Sequence, residues 1–121
     1  MSKPSVVLVV ESSPALGKGV VTALENHGYA TLLATTTKAA FATLERGHVD
    51  LVIVDVTLPP VGGRDLLRGV ANTTRPIPMI GVGAVSQDTS GLMVAEYSLA
   101  DFVIKPFGFP TLVASVSRVL G

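Results

Sequence analysis

At 121 residues the chain has room for one domain with a real core and too little for two, so residues 1–121 are expected to form a single domain. Hydrophobic residues make up 48% and charged ones 15%, which excludes a disordered chain. A formal net charge of zero offers no broad field for nucleic acid, so no direct nucleic-acid binding is expected. With no cysteine, a disulfide framework, a thiolate metal site and a cysteine nucleophile are all ruled out.

No apolar run approaches the roughly 20 residues of a membrane span, so no membrane partner and a cytoplasmic location are expected. Val6 to Val10 is a short, nearly all-valine run, the mark of a strand buried on both faces, and the charged Glu11 ends it. Ser13-Pro14 then supplies a helix cap and a proline for the first helical position. Leu16, Val20 and Leu24 follow at spacing four, and Gly28 stops the helix. Tyr29 to Ala34 reads as a second strand, and the threonines at 35 to 37 cap a helix carrying Ala40, Phe41 and Leu44 up to Gly47.

Asp50 to Asp55, reading Asp-Leu-Val-Ile-Val-Asp, is the clearest buried strand. Pro59-Pro60 and Gly62-Gly63 make a loop, and Leu66, Leu67 and Val70 mark a third helix. Ile77 to Val82 is a fourth strand entered through Pro76 and Pro78. Ser86 to Tyr97 reads as a helix of poor intrinsic propensity, because of Thr89, Ser90 and Gly91. Phe102 to Ile104 is a fifth strand, and Leu112, Val113, Val116 and Leu120 give a last amphipathic helix. Strict alternation of buried strands and helices implies an α/β fold, a parallel sheet with helices on both faces and right-handed crossovers.

In such a sheet, ligands bind beyond the carboxyl ends of the strands, where the strand order reverses. The residues just after each apolar run are Glu11 and Ser12, Asp55, Gly83 and Lys105. In the order 2-1-3-4-5 the first and third strands would be neighbours, and Glu11 and Asp55 would face each other across one crevice. Carboxylates side by side repel and call for a cation. An all-oxygen set with an open remainder suits Mg²⁺, and a neighbouring lysine suits a phosphoryl group. An aspartate can itself accept phosphate as an acyl phosphate.

Four segments, Val-Leu-Val-Val-Glu-Ser-Ser-Pro (7–14), Asp-Leu-Val-Ile-Val-Asp (50–55), Leu-Pro-Pro-Val-Gly-Gly (58–63) and Phe-Val-Ile-Lys-Pro-Phe (102–107), resemble the landmark segments of response-regulator receiver domains, CheY-like modules of two-component signalling. The resemblance runs through essentially the whole chain in order. It implies a flavodoxin-like (βα)5 fold with a five-stranded parallel sheet in the order 2-1-3-4-5. It places Asp55 as phosphoacceptor and Lys105 as the phosphate-binding lysine. Glu11, Asp55 and the backbone carbonyl of Thr57 would hold Mg²⁺, weakly, and the bond before Pro106 would be cis. It implies no enzyme in its own right. Its partners would be a histidine kinase or phosphotransfer protein, and a downstream target or fused output domain. A homodimer through the face of the last two helices comes with the same resemblance.

The departures are as specific as the matches. The family has adjacent acidic residues after the first strand, where this chain has Glu11 and Ser12, so one metal ligand is missing. Where the family has a threonine or serine after the fourth strand, Gly83 offers no hydroxyl to a phosphoryl group. Phe102 takes the aromatic switch position. The alternative reading is therefore a pseudo-receiver, a protein-interaction module working without phosphorylation.

Simpler roles stand beside these. Glu11 can cap the next helix, Ser12 and Ser13 are turn and cap residues, and His27 and His48 read as surface histidines. Gly81-x-Gly83 follows the fourth strand, where no nucleotide fingerprint belongs, and Gly17-Lys18-Gly19 lies inside a helix without phosphate-loop spacing, so both read as glycines with local roles.

Overall fold

The computed structural model describes residues 3–58, 63–71 and 76–121. The strands are β1 (Val6–Val10), β2 (Ala30–Ala34), β3 (Leu51–Asp55), β4 (Met79–Gly83) and β5 (Asp101–Ile104), and all pairings are parallel in the order β2-β1-β3-β4-β5. The helices α1 (Pro14–Glu25), α2 (Thr37–Arg46), α3 (Arg64–Ala71), α4 (Gln87–Tyr97) and α5 (Phe109–Leu120) alternate with them. The expected flavodoxin-like architecture is the one found. Part of the predicted loop, Pro59-Pro60 and Gly62, lies outside the described residues.

Successive residues of a strand face opposite sides of a sheet, and here each side has its own core. Val7, Val9, Leu51, Ile53, Ile80, Val82 and Val103 pack with Val20 and Leu24 of α1 and Leu112, Val113 and Val116 of α5. Leu8, Val10, Val52, Val54 and Met79 pack on the other side with residues of α2, α3 and α4, among them Ala40, Leu66, Leu67, Met93 and Tyr97. β3 and β4 are buried throughout, which is why they read as unbroken apolar runs. β2 and β5 are the sheet edges, and on β2 Leu32 and Leu33 are exposed.

The caps fall where the sequence puts them. The Ser13 and Thr36 hydroxyls accept the N–H groups of Leu16 and Ala39, at 3.4 and 3.1 Å. Ser86 does the same for Thr89 at 3.1 Å, and the weak helix over Gln87–Tyr97 forms in full. α1 ends at Glu25, ahead of Gly28, whose φ of +89° is left-handed backbone that favours glycine. β2 starts at Ala30 rather than Tyr29, because the Tyr29 N–H goes back to Leu24 at 3.2 Å. β4 starts two residues later than the apolar run Ile77–Val82 suggests. Pro78 has no N–H for a ladder; its carbonyl alone joins, accepting the Val52 N–H at 3.0 Å. Asp50 lies just ahead of β3, where its carboxylate accepts the first N–H of β1, Val6, at 2.7 Å. Both histidines are exposed, with local partners in Ala23 O for His27 and Asp50 for His48.

One carboxylate fastens β5 to α5. Asp101 Oδ2 accepts from the Ser115 hydroxyl at 2.5 Å and from Arg118 at 2.6 Å, and Oδ1 accepts from the Phe102 N–H at 2.8 Å. Burial pushes the Asp101 carboxyl up, but these three donors and the Arg118 charge outweigh it and hold the group below the ordinary 3.8. A depressed carboxyl contributes stability that is complete above its unfolded value and lost as pH falls through its folded one. Asp101→Asn should therefore destabilise the domain by about 1–2 kcal/mol at neutral pH, a charged hydrogen-bond contribution. Urea unfolding at neutral pH and near pH 3 should show the deficit shrinking in acid, and an equal deficit at both would contradict this role.

Candidate functional site

The sheet delivers three charged side chains to one place. Val10 of β1 pairs with Val54 of β3, so Glu11 and Asp55 come off adjacent strands at the same level. Both continue the alternation that points Val7 and Val9, and Leu51 and Ile53, toward α1 and α5. Lys105 follows β5 with the parity of Val103, and its N–H is held by the Gly83 carbonyl at 2.8 Å. Its side chain crosses the end of β4 to both carboxylates, Nζ lying 2.6 Å from Glu11 Oε1 and 3.3 Å from Asp55 Oδ2. The Lys105–Pro106 peptide bond is cis, in keeping with the expectation.

Both carboxylate side chains are 4% exposed and the lysine 21%, so the charges meet with little water between them. Glu11 Oε2 also accepts the Ser13 N–H at 3.0 Å, so capping α1 and pairing with Lys105 are done by one side chain. Asp55 Oδ1 accepts two bonds from Thr57, its N–H at 2.9 Å and its hydroxyl at 2.7 Å. Burial raises the Asp55 carboxyl, but the Thr57 hydroxyl and N–H and the Lys105 ammonium outweigh it, and the group stands below 3.8. Burial likewise lowers Lys105, and the Glu11 hydrogen bond with the two carboxylate charges raises it above 10.5. At rest Asp55 is therefore ionised and Lys105 is an ammonium. The Thr57 side chain, which the sequence left without a role, is part of the site.

The donor set fits Mg²⁺ in kind. Glu11 and Asp55 each keep an oxygen within 3.3 Å of one ammonium, so they converge on one cation-sized place. Mg²⁺ is commonly held by one or two carboxylates with waters completing the octahedron. The set is short in charge: Ser12 is exposed, and no group of three or more His, Cys, Asp or Glu suited to a metal occurs among the described residues. Beside Lys105 opens a cleft of about 370 Å³ walled by Leu16, Ala84, Pro106 and Phe107. A larger groove of about 770 Å³ runs along β5 and α5 past Phe102 and Arg118 and touches neither carboxylate.

Gly83 and Phe102 meet on the opposite side of the sheet. Phe102 pairs with Gly81, and a Cβ on Gly81 would lie 2.7 Å from the Phe102 ring. A Cβ on Gly83 would lie 3.7 Å from the same ring and 2.8 Å from Val56 Cγ2. The ring thus leaves no room for a side chain at Gly81, while at Gly83 it is Val56 that comes too close for one. That is the role of Gly81-x-Gly83, and the signal at Gly81 was an aromatic in register on the neighbouring strand. Gly17 and Gly19 work similarly in α1, against Leu33 and the Phe109 ring.

Residues 7–117 match the response regulator receiver domain family, and the chain belongs to it. It is 29% identical over 114 residues to the transcriptional regulatory protein BasR of Escherichia coli strain K12, covering 94% of this chain and 51% of BasR. It is 31% identical over 122 residues to the sensor kinase CckA of Brucella abortus, covering 99% of this chain and 13% of CckA. The chain thus spans about half the length of BasR and a small part of CckA. The non-phosphorylated receiver domain of HemR from Leptospira biflexa superposes with a TM-score of 0.88 at 26% identity, covering 97% of this chain and 94% of that one. The chemotaxis response regulator CheY4 of Vibrio cholerae gives 0.88 at 22% identity over 96% and 98%, a likeness of fold. The chain is a receiver domain homologous to two-component response regulators. Among the described residues no helix is long and apolar enough to cross a membrane.

Val56 makes a hydroxyl at position 83 costly to introduce. The 2.8 Å approach to a branched, buried side chain cannot be relieved by a flexible tip. Gly83→Thr should destabilise by about 1–3 kcal/mol through overpacking. Val56→Ala in the same chain should recover part of that loss, giving a favourable coupling in a double-mutant cycle by denaturant unfolding. Strict additivity would show that the two sites do not share this space.

Proposed function

We propose that Asp55 is the phosphoacceptor of this receiver and that Lys105 binds the incoming phosphoryl group. The observation that supports it best is the Lys105 ammonium 3.3 Å from Asp55 Oδ2, a charged donor beside an ionised oxygen at the carboxyl end of a parallel sheet. A carboxylate held below its ordinary value is ready to attack phosphorus without first losing a proton. As the oxygen–phosphorus bond forms, Lys105 would stay near the phosphoryl oxygens, where a point charge is most useful. Glu11, Asp55 and the Thr57 backbone carbonyl would hold Mg²⁺, which when bound neutralises charge on a phosphoryl group. The whole of residues 1–121 would serve as this one module.

The donor would be a phosphorylated histidine of a kinase or phosphotransfer protein, and the output a downstream protein or a fused domain. The likeness to CckA and to BasR supports both, since those are a sensor kinase and a transcriptional regulator. A cytoplasmic location and a homodimer through the α4–α5 face belong to the same reading, and a net charge of zero supports no direct nucleic-acid contact. With glycine at position 83, coupling between the phosphoryl group and Phe102 would be small, because a ligand shifts an equilibrium only by its differential contacts.

Incubation with a small acyl phosphate and Mg²⁺ should add one phosphoryl group by intact mass, and Asp55→Asn should abolish it. Labelling that survives the substitution would overturn the assignment, and a wild type that never labels would instead indicate an interaction module independent of phosphate. Ser12→Asp should tighten Mg²⁺ binding roughly tenfold by adding a charged oxygen ligand, read by calorimetric titration. It should also lower the stability of the metal-free protein by crowding carboxylates. Equal affinities would place residue 12 away from the metal.

A further inference from the structure

The two oxygens of the Asp55 carboxylate are not equivalent. Oδ1 accepts both donors of Thr57, at 2.9 and 2.7 Å, while Oδ2 faces the Lys105 ammonium at 3.3 Å. Nothing in an aspartate itself distinguishes them. The last torsion of its side chain is broad and two-fold, so rotation exchanges one oxygen for the other at little cost. Two hydrogen bonds converging from one residue remove that freedom and fix the plane of the carboxylate. Thr57 is itself exposed, so its hydroxyl contributes little to the core, and its bond to Asp55 is the one the site uses.

We propose that the Thr57 hydroxyl is a positioning group for phosphoryl transfer, holding Oδ1 so that Oδ2 is the oxygen that attacks phosphorus. This rests on the reading of Asp55 as phosphoacceptor and adds which atom reacts and what fixes it. The step is a displacement. Oδ2 gives an electron pair to the phosphorus of an acyl phosphate, the bond from phosphorus to the bridging oxygen breaks, and the donor's carboxylate leaves with that pair. No proton moves and no oxidant or reductant takes part; the products are the Asp55 acyl phosphate and a free carboxylate. Effective attack needs the reacting oxygen held in line and near contact. A carboxylate free to turn spends part of its time with neither oxygen aligned.

Thr57→Val removes the hydroxyl at almost unchanged size and keeps the N–H bond to Oδ1; Thr57→Ser keeps the hydroxyl. With acetyl phosphate as the probe, the initial labelling rate of the valine variant should fall roughly tenfold, about 1.4 kcal/mol on the barrier, and the serine variant should label nearly as wild type. A role in stability alone would not separate these variants at equal unfolding midpoints, which urea titration checks. Thr57→Ala serves as a second hydroxyl-free variant should valine disturb the fold. The spectroscopic readout needs no phosphate: in ¹³C-aspartate-labelled protein, the Asp55 carboxylate stretches are assigned by their loss in Asp55→Asn. Their splitting should change in Thr57→Val and stay as in wild type in Thr57→Ser. An unmoved rate or an unmoved splitting in the hydroxyl-free variants overturns the proposal, as does a serine variant no better than valine. A wild type that gains no phosphoryl group defeats the phosphoacceptor reading and this one with it; a wild type that labels while Thr57→Val labels equally well defeats this one alone.

Discussion

Carboxylates from β1 and β3 stand almost out of water at the end of the sheet, and that arrangement holds only because an ammonium from β5 lies between them. Desolvated like charges repel strongly unless a cation pairs with them. The lysine answers that with contacts at 2.6 and 3.3 Å, drawing together the ends of strands that are not neighbours in the chain. Glu11 extends the linkage into α1 through Ser13, and Thr57 extends it into the turn after β3. The charged group is therefore a structural fastening, and the proposed phosphoryl chemistry would use the same atoms. Any ligand that recruits Lys105 must draw on an interaction that already holds the strand ends in place.

The sheet also keeps two kinds of interaction apart. Residues of one parity carry the charges on the side of α1 and α5, while Gly81, Gly83, Phe102 and Val56 meet on the side of α2, α3 and α4. The turn after β3 is where the sides come together. Thr57 gives its hydroxyl to Asp55, and its methyl group lies 3.9 Å from where a Gly83 Cβ would stand. Val56 and Thr57 are thus the residues of this turn that adjoin both sides, and β4 adds no hydroxyl to link them.

Much of this was legible in the residues themselves, for identifiable reasons. Strands covered on both faces need apolar side chains at every position, so β1 and β3 stand out without any structure, and strand ends mark the chemistry. The convergence of Glu11, Asp55 and Lys105 was less accessible, because the order of strands is not written in local periodicity; it came with the family likeness. The hydroxyl of Thr57 escaped notice because its use depends on a side-chain torsion. The need for glycine at 81 under the Phe102 ring depends on the register between β4 and β5, which sets residue 81 beside residue 102. Small boundary shifts at Tyr29 and Pro78 follow from where single N–H groups go or are missing.

The fit of Val56 into the space beside Gly83 has a consequence for how such a domain can change over generations. Position 83 is not a free site at which a side chain was left out; its space is filled from the turn after the neighbouring β3, and a Cβ there would lie 2.8 Å from Val56. A lineage carrying this pair can acquire a larger residue at 83 by a single substitution only through a less stable intermediate, unless position 56 shrinks first. Shrinking first leaves a void beside Gly83, which carries its own cost. The two positions therefore resist change singly and tolerate it together, so that related chains should vary at 56 and 83 as a pair rather than independently.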